Sequence, residues 1–191
     1  MDLLNTYKII LGSKSPRRSE LLNKADIPFE NRLMEVEEIY PEALPASEVP
    51  EFLAKLKASA FEGKLAPNEL LICADTIVIQ NAKVIGKPKN REDAKITLAS
   101  LSNKWHTVVS GVCLKTNDRL VSFSCTSQVK FYELTDLEID YYIETYQPYD
   151  KAGSYGIQDW IGIAKIEKID GSYTNIMGLP MGKLYQVLKD F

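Results

Sequence analysis

The sequence predicts an α/β fold with a mixed, twisted β-sheet and flanking helices. Apolar strand-like runs alternate with amphipathic helical runs, and tight turns join other apolar runs into hairpins. Strand-helix units favour parallel pairing, whereas hairpins require antiparallel pairing. A sheet that contains both connections is mixed, so a simple doubly wound parallel sheet is not expected.

The first predicted strand covers Tyr7 to Gly12, and a helix from Pro16 to about Lys24 follows it. Ser15 is expected to cap this helix, because Ser is favoured at the N-cap and Pro at the first helical position. From Pro28 the residues alternate weakly and predict a second strand, which runs into a proline-rich loop.

A second helix is predicted from a cap at Ser47 to about Gly63, because its apolar residues recur at helical spacing. On the helical wheel, Lys57 falls near the edge of the apolar stripe and Lys55 falls nearly opposite it. We therefore expect Lys57 to reach inward and Lys55 to stay outside.

The middle of the chain begins with the strongest strand prediction, Leu70 to Gln80, and a turn at Asn81-Ala82 makes it a hairpin. A helix capped by Asn90 is predicted to end near Leu101. Two long β-rich runs, 105–115 and 120–131, are expected to form an antiparallel pair.

The last part of the chain opens with a helix from Thr135 to about Tyr146, in which Glu138 completes a capping box. A loop rich in Gly, Tyr and charge follows at 147–158. Asp170-Gly171 predicts a hairpin turn between two strands, and a helix from Pro180 to about Asp190 ends the chain.

The composition fits one globular domain over residues 1–191, with 45% hydrophobic and 26% charged residues. A net charge of −3 argues against a nucleic-acid partner. The three scattered cysteines and the single histidine, His106, support neither a disulfide framework nor a zinc site, and no motif predicts a catalytic role for His106. The N-terminus has no signal peptide or membrane span, which predicts a cytoplasmic protein with no membrane partner.

Two adjacent arginines, Arg17 and Arg18, follow Ser13 where the first strand passes into the first helix. The free N–H groups and the dipole at a helix N-terminus favour anions and disfavour cations. An anion that contacts both the amides and the guanidiniums would relieve this conflict. A phosphate site and ordinary surface arginines both remain open, and the turn is neither a P-loop nor a G-x-G-x-x-G motif.

Asp75 lies within an almost entirely apolar run, where an isolated carboxylate would cost several kcal/mol. A structural salt bridge or backbone N–H groups would compensate it. Alternatively, Asp75 is a metal ligand or a general base at a cleft. We favour the functional interpretation because perturbed groups concentrate at active sites.

Further charged residues are compatible with phosphoryl chemistry. An acidic cluster offers oxygen ligands suited to Mg²⁺ or Mn²⁺, or it is simply a solvated loop; its members are Glu35, Glu37 and Glu38. Lys87 and Lys151 are either phosphate contacts or ordinary surface lysines. A strand-to-helix anion site, lysines and a buried acid together indicate metal-assisted phosphoryl chemistry.

These motifs resemble those of the Maf family of nucleotide pyrophosphatases over nearly the whole chain. The matching motifs are S-x-S-P-R-R at Ser13 to Arg18, the VEE that ends at Glu38, the helical Lys57, Asp75 and Thr76 in ADT, Lys87 in KP, the loop Lys151 to Gln158, and GLP at Gly178 to Pro180. Each motif is weak alone, but the ordered set is specific.

The resemblance implies hydrolysis of a nucleoside triphosphate at the α-phosphorus to the monophosphate and pyrophosphate, with Mg²⁺ or Mn²⁺. It also implies an inosine-triphosphatase-like fold with a central cleft between two lobes, and a homodimer. The implied phosphate contacts are Ser13, Arg18, Lys57 and Lys87, while Glu38 and Asp75 hold the metal or the attacking water. Asp75 corresponds to the family's general base, but neighbouring cations weaken a carboxylate as a base, so activation of water by the metal is the alternative.

The resemblance also extends to substrate choice. The subgroup that acts on dTTP and UTP has Arg, Thr and Gln at three specificity positions, where this chain has Arg17, Thr76 and Gln158. Two residues depart from the family pattern. Gly12 replaces Ala, which frees the backbone, and Asp159 replaces the Gly after Gln158, which is expected to alter the loop or repel phosphate.

Two other functions remain open. A nucleotide-binding regulator of septum formation or cell division would bind nucleotide with little turnover. A nucleic-acid-binding module would need a basic patch that the net charge does not suggest.

Overall fold

The computed structural model describes residues 6–191, which form strands, α-helices and three short 3₁₀ turns. The strands are β1 (Lys8–Leu11), β2 (Phe29–Asn31), β3 (Glu69–Gln80), β4 (Lys83–Ile85), β5 (Trp105–Lys115), β6 (Leu120–Phe131) and β7 (Ile166–Asp170). The α-helices are α1 (Pro16–Lys24), α2 (Val49–Ser59), α3 (Arg91–Leu101), α4 (Asp136–Tyr146), α5 (Trp160–Lys165), α6 (Tyr173–Met177) and α7 (Met181–Lys189). The 3₁₀ turns are Ala46–Glu48, Pro148–Asp150 and Ala152–Ser154.

The strands form a mixed sheet in the order β2-β1-β3-β5-β6-β7, and β4 pairs with β3 off this path. β1 is parallel to both β2 and β3, with Ile10 opposite Glu30 and Leu71. β4 is antiparallel to β3, and β7 is antiparallel to β6. The predicted α/β class with a mixed sheet is therefore confirmed.

The chain divides into two compact units. The first contains the residues up to Thr76, together with Ser110–Cys125 and Gly178–Phe191. The second contains Ile77–Val109 and Thr126–Met177. This division does not test the single domain expected over residues 1–191, which stays a prediction.

The core of the first unit fixes α2 against the sheet. Its apolar cluster consists of Ile10, Ala54, Ala58, Phe61, Leu65, Leu71, Cys73 and Cys113. At Gly111 in β5 a side chain would overlap the backbone of Pro50 and Glu51, so the start of α2 lies directly against the strand. This close packing positions the lysines of α2 relative to β3.

The second unit buries His106 among aromatic rings. The His106 ring stacks on Phe131, with 5.5 Å between centroids, and its Nε2 lies 2.7 Å from the Tyr155 hydroxyl. Burial lowers the pKa of His106 to about 4. His106 is thus a neutral core residue at physiological pH.

Most predicted elements are present, but the second helix begins differently. A 3₁₀ turn occupies 46–48, and α2 starts at Val49 with Glu48 in the cap position, so the predicted Ser47 cap is wrong. Pro50 at the start of α2 suits a helix N-terminus without a side-chain cap. β2 ends at Asn31, so the strand expected from Pro28 is shorter than its alternation suggested.

The hairpin predicted at Asp170-Gly171 is also wrong. The residues before it fold first as α5 and then as β7, which pairs with β6, and those after it form α6. Asn175 in α6 is fully buried and donates to the Val108 carbonyl and Ser127 Oγ, so this helix packs through its polar side chain. Short apolar runs do not distinguish strand from helix without such tertiary contacts.

Within residues 6–191, no helix has both the length and the apolar character needed to cross a membrane.

Candidate active site

The strand-to-helix turn after β1 brings Arg18 into the interior. Only 9% of Arg18 is exposed, although it lies in the first turn of α1. Its Nε donates to the Gly178 carbonyl at 2.9 Å, and its Nη1 donates to Ser13 Oγ at 3.0 Å and to the Ala74 carbonyl at 2.7 Å. Nη2 donates to Thr76 Oγ1 at 3.3 Å. These bonds use four of the five N–H groups of a guanidinium.

Ser13 and Arg18 hold the turn together. Ser13 Oγ accepts from the Ser15 N–H at 3.2 Å as well as from Arg18. Ser15 does occupy the N-cap position, but its side chain makes no capping hydrogen bond. Burial lowers the pKa of the Arg18 guanidinium, and the negative charge of Asp75 opposes that shift. The buried cation is therefore compensated by an acid and by aligned oxygen acceptors.

Thr76 lies in the same network. Its hydroxyl donates to the Gly178 carbonyl at 3.3 Å and lies 2.8 Å from Ser110 Oγ. Because a hydroxyl has a single proton, Ser110 is the donor to Thr76 when Thr76 donates to Gly178. Sequence reasoning missed Ser110, although a serine within the apolar run of β5 was a detectable anomaly. It also missed the Gly178 carbonyl, because the pattern of side chains in a sequence does not show which backbone carbonyls accept hydrogen bonds.

The second group of site residues centres on Lys57. Its ammonium lies 2.6 Å from Asp75 Oδ1 and 3.1 Å from Glu38 Oε1. The Lys57 side chain is 17% exposed, whereas that of Lys55 is 48% exposed and pairs with Glu51. The helical-wheel prediction for the two lysines is thus confirmed. The buried charge of Asp75 is compensated by its salt bridge with Lys57, one of the compensations expected from the sequence.

The carboxylates around Lys57 are compatible with a divalent cation. Among residues 6–191, no group of three or more carboxylate, thiol or imidazole side chains is arranged as a metal site. Glu38 and Asp75 nevertheless share one ammonium, so two hard oxygen donors converge on one position. Mg²⁺ is commonly bound by one or two carboxylates, with water and substrate phosphates supplying the other ligands. The pair therefore fits a divalent cation whose other ligands come from outside the protein.

Other acidic and basic candidates lie outside these two groups. Glu35 and Glu37 are exposed, in agreement with a solvated acidic loop, and Arg17 is half-buried. Lys87 is exposed in the segment after β4 and belongs to the second unit. Lys151, also in that unit, is not an ordinary surface lysine, because its side chain is only 12% exposed. Its ammonium lies 2.8 Å from Asp150 Oδ1 and 3.9 Å from Asp159 Oδ2.

Gln158 belongs to a loop of the second unit that is tied to α4. Its Nε2 donates to Asp159 Oδ1 at 3.1 Å, while Asp159 Oδ2 accepts from the Tyr142 hydroxyl at 2.7 Å. Tyr142 also accepts the Gly156 N–H at 3.0 Å. Burial and the hydrogen bond to Asp159 raise the pKa of Tyr142, so the phenol stays a donor. Asp159 is thus anchored within the loop.

The Gln158 carbonyl oxygen is left without a donor. Oε1 is buried and has no hydrogen-bond partner in the part of the chain that the structure describes. An unsatisfied buried acceptor costs about 1–3 kcal/mol. The loop therefore holds an unsatisfied acceptor that is screened from solvent in this structure.

The structure thus joins six of the predicted site residues in two adjoining groups. Ser13, Arg18 and Thr76 share one hydrogen-bond network in the first unit, and Glu38, Lys57 and Asp75 share one ion-paired group there. Asp75 and Thr76 are neighbours in β3, so the two groups adjoin. Gln158 lies with Asp159 in the second unit.

Comparison with known proteins gives matches over the full chain. A family model described as "Maf-like protein" matches residues 8–191. A dTTP/UTP pyrophosphatase of Flavobacterium johnsoniae is 52% identical over 187 residues, which is 98% of this chain and 96% of the relative. Proteins of the same name from Porphyromonas gingivalis and Parabacteroides distasonis are each 50% identical, over 100% of this chain and 98% and 100% of their own lengths.

Among solved structures, a Staphylococcus aureus Ham1 protein gives a TM-score of 0.47 at 18% identity, covering 68% of this chain and 72% of that chain. A similarity this low supports no argument of its own. The match to the family model over residues 8–191 and the relatives at about 50% identity over the full chain show that this chain belongs to the Maf family.

Proposed function

We propose that this protein is a nucleoside triphosphate pyrophosphatase that converts dTTP and UTP to the monophosphates and pyrophosphate. The observation that carries the proposal is the Lys57 ammonium between Asp75 and Glu38, beside the buried Arg18. This arrangement offers both cations for phosphates and carboxylates for a metal. The printed activity of relatives at about 50% identity over the full chain supports the substrate class.

The phosphate contacts in this proposal are Ser13, Lys57 and Lys87. Arg18 contributes positive charge near the phosphates and holds neighbouring residues through hydrogen bonds. Because four N–H groups of Arg18 bind its own chain, the guanidinium holds Ser13 and Thr76 in place. A lysine ammonium has three donors, so Lys57 retains one N–H for a phosphate while it binds both carboxylates.

Water attack at the α-phosphorus requires a group that orients the water and accepts its proton. Asp75 binds Lys57 through Oδ1, which leaves Oδ2 for the water. Glu38 and Asp75 would hold Mg²⁺ or Mn²⁺, and a bound divalent cation supplies charge neutralisation and makes water more acidic. Lys57 offsets the negative charge of both acids before a substrate binds and keeps their carboxylates together.

Arg17, Thr76 and Gln158 are assigned to base recognition in this proposal. The Thr76 hydroxyl is already bound to the Gly178 carbonyl and close to Ser110, so Thr76 acts by fixing that segment. Gln158 offers a carbonyl acceptor and an amide donor, the two groups that a pyrimidine edge requires.

A pyrophosphate-release assay over dTTP, UTP, CTP, ATP and GTP, with Mg²⁺ or Mn²⁺, tests the proposal. We expect the highest kcat/KM for dTTP and UTP and no turnover when a chelator is present. Nucleotide binding without turnover would instead support the regulator of septum formation or cell division. Equal rates for purine and pyrimidine nucleotides would overturn the substrate assignment, and a rate that a chelator leaves unchanged would overturn the metal.

We further infer a cytoplasmic homodimer that does not bind nucleic acid. The dimer is implied by the family resemblance, and the net charge of −3 disfavours binding to a polyanion. Light scattering after gel filtration tests the dimer, since a monomeric mass would contradict it. Salt-sensitive binding of DNA or RNA would contradict the second inference.

A further inference from the structure

The loop that carries Gln158 is anchored to Tyr142 of the second unit by the Asp159 carboxylate and by the Gly156 N–H. Asp159 Oδ2 accepts from the hydroxyl of Tyr142, which is fully buried in α4. Asp159 Oδ1 accepts from Gln158 Nε2 at 3.1 Å. Asp159 therefore transmits the fixed position of a core tyrosine to the amide of Gln158.

Gly156 provides the space for this arrangement. A Cβ at position 156 would lie 2.6 Å from Asp159 Oδ2 and 2.8 Å from Gln158 Nε2. The Asp159 N–H also donates to the Gly156 carbonyl at 3.1 Å, which closes the turn. Both side chains thus pack directly over the glycine, in space that a Cβ would occupy.

The contact with Asp159 determines which way the Gln158 amide faces. A glutamine amide has two orientations, related by a half-turn that exchanges the carbonyl and the NH₂. A carboxylate only accepts hydrogen bonds, so the NH₂ must face Asp159. Oε1 then points away from Asp159 and, among the residues described, meets no donor.

The two orientations are complementary to different pyrimidines. Uracil and thymine present an N3–H donor next to a carbonyl at C4, whereas cytosine presents an N3 acceptor next to an amino group. Oε1 is buried in this structure, so a base reaches it only when the loop opens. With its NH₂ on Asp159, Gln158 can then accept from N3–H through Oε1 and donate its second N–H to the C4 carbonyl. The reversed orientation would match cytosine.

We propose that Asp159 is a positioning residue that holds Gln158 in the amide orientation that selects uracil and thymine over cytosine. The inference rests on the proposed function for the substrate class. It goes beyond that function by assigning the choice among pyrimidines to a carboxylate outside direct contact with the base.

The test is Asp159→Asn, assayed by kcat/KM for UTP and CTP. An asparagine can donate as well as accept, so it permits both orientations of Gln158. We expect the UTP:CTP ratio to fall by about tenfold or more, the factor associated with a hydrogen bond to a charged group. Tyr142→Phe, which removes the anchor of Asp159, is expected to lower the ratio less.

Two controls separate positioning from general damage. Glu144→Gln removes one charge from the exposed side of α4, where it pairs with Arg91, and is expected to leave the ratio unchanged. In a Gln158→Ala background, Asp159→Asn is expected to have no further effect on the ratio, because the residue acts through Gln158. Equal losses for UTP and CTP in Asp159→Asn, with the melting temperature retained, would overturn the inference.

Binding of UMP and CMP to the same variants gives a readout that does not require turnover. If wild-type protein hydrolyses neither UTP nor CTP, the proposed function fails. The ratio of the Kd values for UMP and CMP still tests the positioning role of Asp159 in that case. If wild-type protein is selective but Asp159→Asn keeps the full ratio in both assays, only the positioning role fails.

Discussion

Lys57 Nζ lies 2.6 Å from Asp75 Oδ1, and this pair allows the chain to keep a carboxylate within an apolar strand. The two residues come from different elements, α2 and β3, which pack together through the apolar cluster of the first unit. The ion pair is thus set by the fold, and it adjoins the network of Arg18 through Thr76.

Lys57→Ala is expected to lower both activity and stability, because it leaves Asp75 without its cation. Breaking a buried ion pair from one side costs about 3–5 kcal/mol, and losing a donor to a developing charge costs about 10²–10³ in kcat. Lys55→Ala on the same helix is the matched control, since its exposed pair with Glu51 contributes under about 1 kcal/mol. Similar losses in the two variants would contradict the special position of Lys57.

Asp75→Asn is expected to lower kcat by about 10²–10⁴ while the protein stays folded. The amide preserves shape and still accepts from Lys57, but it neither takes a proton nor binds a cation well. Pyrophosphate release measures the activity, and circular dichroism during heating measures the fold. Asp118→Asn, at an exposed turn position, controls for the chemical change. Activity equal to the wild type would remove Asp75 from the mechanism.

Local patterns predicted the parts of the fold that depend on neighbours in sequence. The capping box of Thr135 and Glu138 is present in α4, and helical periodicity separated Lys57 from Lys55. These features follow from a few consecutive residues, whose geometry is the same in most tertiary contexts.

Features that depend on distant residues were not predictable. The Arg18 guanidinium binds the Gly178 carbonyl, 160 positions along the chain, and no side-chain pattern marks a backbone acceptor. Asp159 was expected to alter its loop or repel phosphate, but its partner Tyr142 lies in another element. The family motifs indicated where to look for a site, whereas the orientation of each side chain required tertiary contacts.

Acid is expected to weaken the first unit through Glu69, at the start of β3. Arg32 binds both carboxylate oxygens of Glu69 at 2.7 Å, and this contact lowers the pKa of Glu69 from 4.5 to about 2. A carboxyl whose pKa is lower in the folded state contributes stability above its unfolded pKa, and loses it as pH falls through the folded value. The contribution should therefore disappear between pH 4.5 and about 2.

Urea unfolding across this pH range measures the effect. Glu69→Gln is expected to lower stability by about 1.5–3 kcal/mol at neutral pH and to flatten the acid dependence, since hydrogen bonds to charged groups contribute about that much. Glu62→Gln, which changes an exposed acid paired with Lys115, should keep the wild-type slope. An unchanged slope in Glu69→Gln would assign the acid sensitivity to other carboxyls.

Space, not backbone freedom, favours glycine at position 12. A Cβ at position 12 would lie 2.6 Å from Cys73 Sγ, while its φ lies outside the left-handed range. Gly12→Ala is therefore expected to destabilise the protein by about 1–3 kcal/mol, the usual cost of overpacking a core. Gly86→Ala, where no atom lies within 4 Å of the new Cβ, should be nearly neutral.

Cys73→Ala tests whether the sulfur is the cause. Alone it leaves a small cavity beside Gly12 and costs some stability, but it also removes the atom that the methyl introduced by Gly12→Ala would meet. The double variant Gly12→Ala/Cys73→Ala is expected to lose less free energy of unfolding than the sum of the single variants, by about 1 kcal/mol or more. Additive losses would show that Cys73 is not the source of the overlap, and would assign the cost to the other close neighbour, Leu71, whose Cδ1 would lie 3.2 Å from the new Cβ.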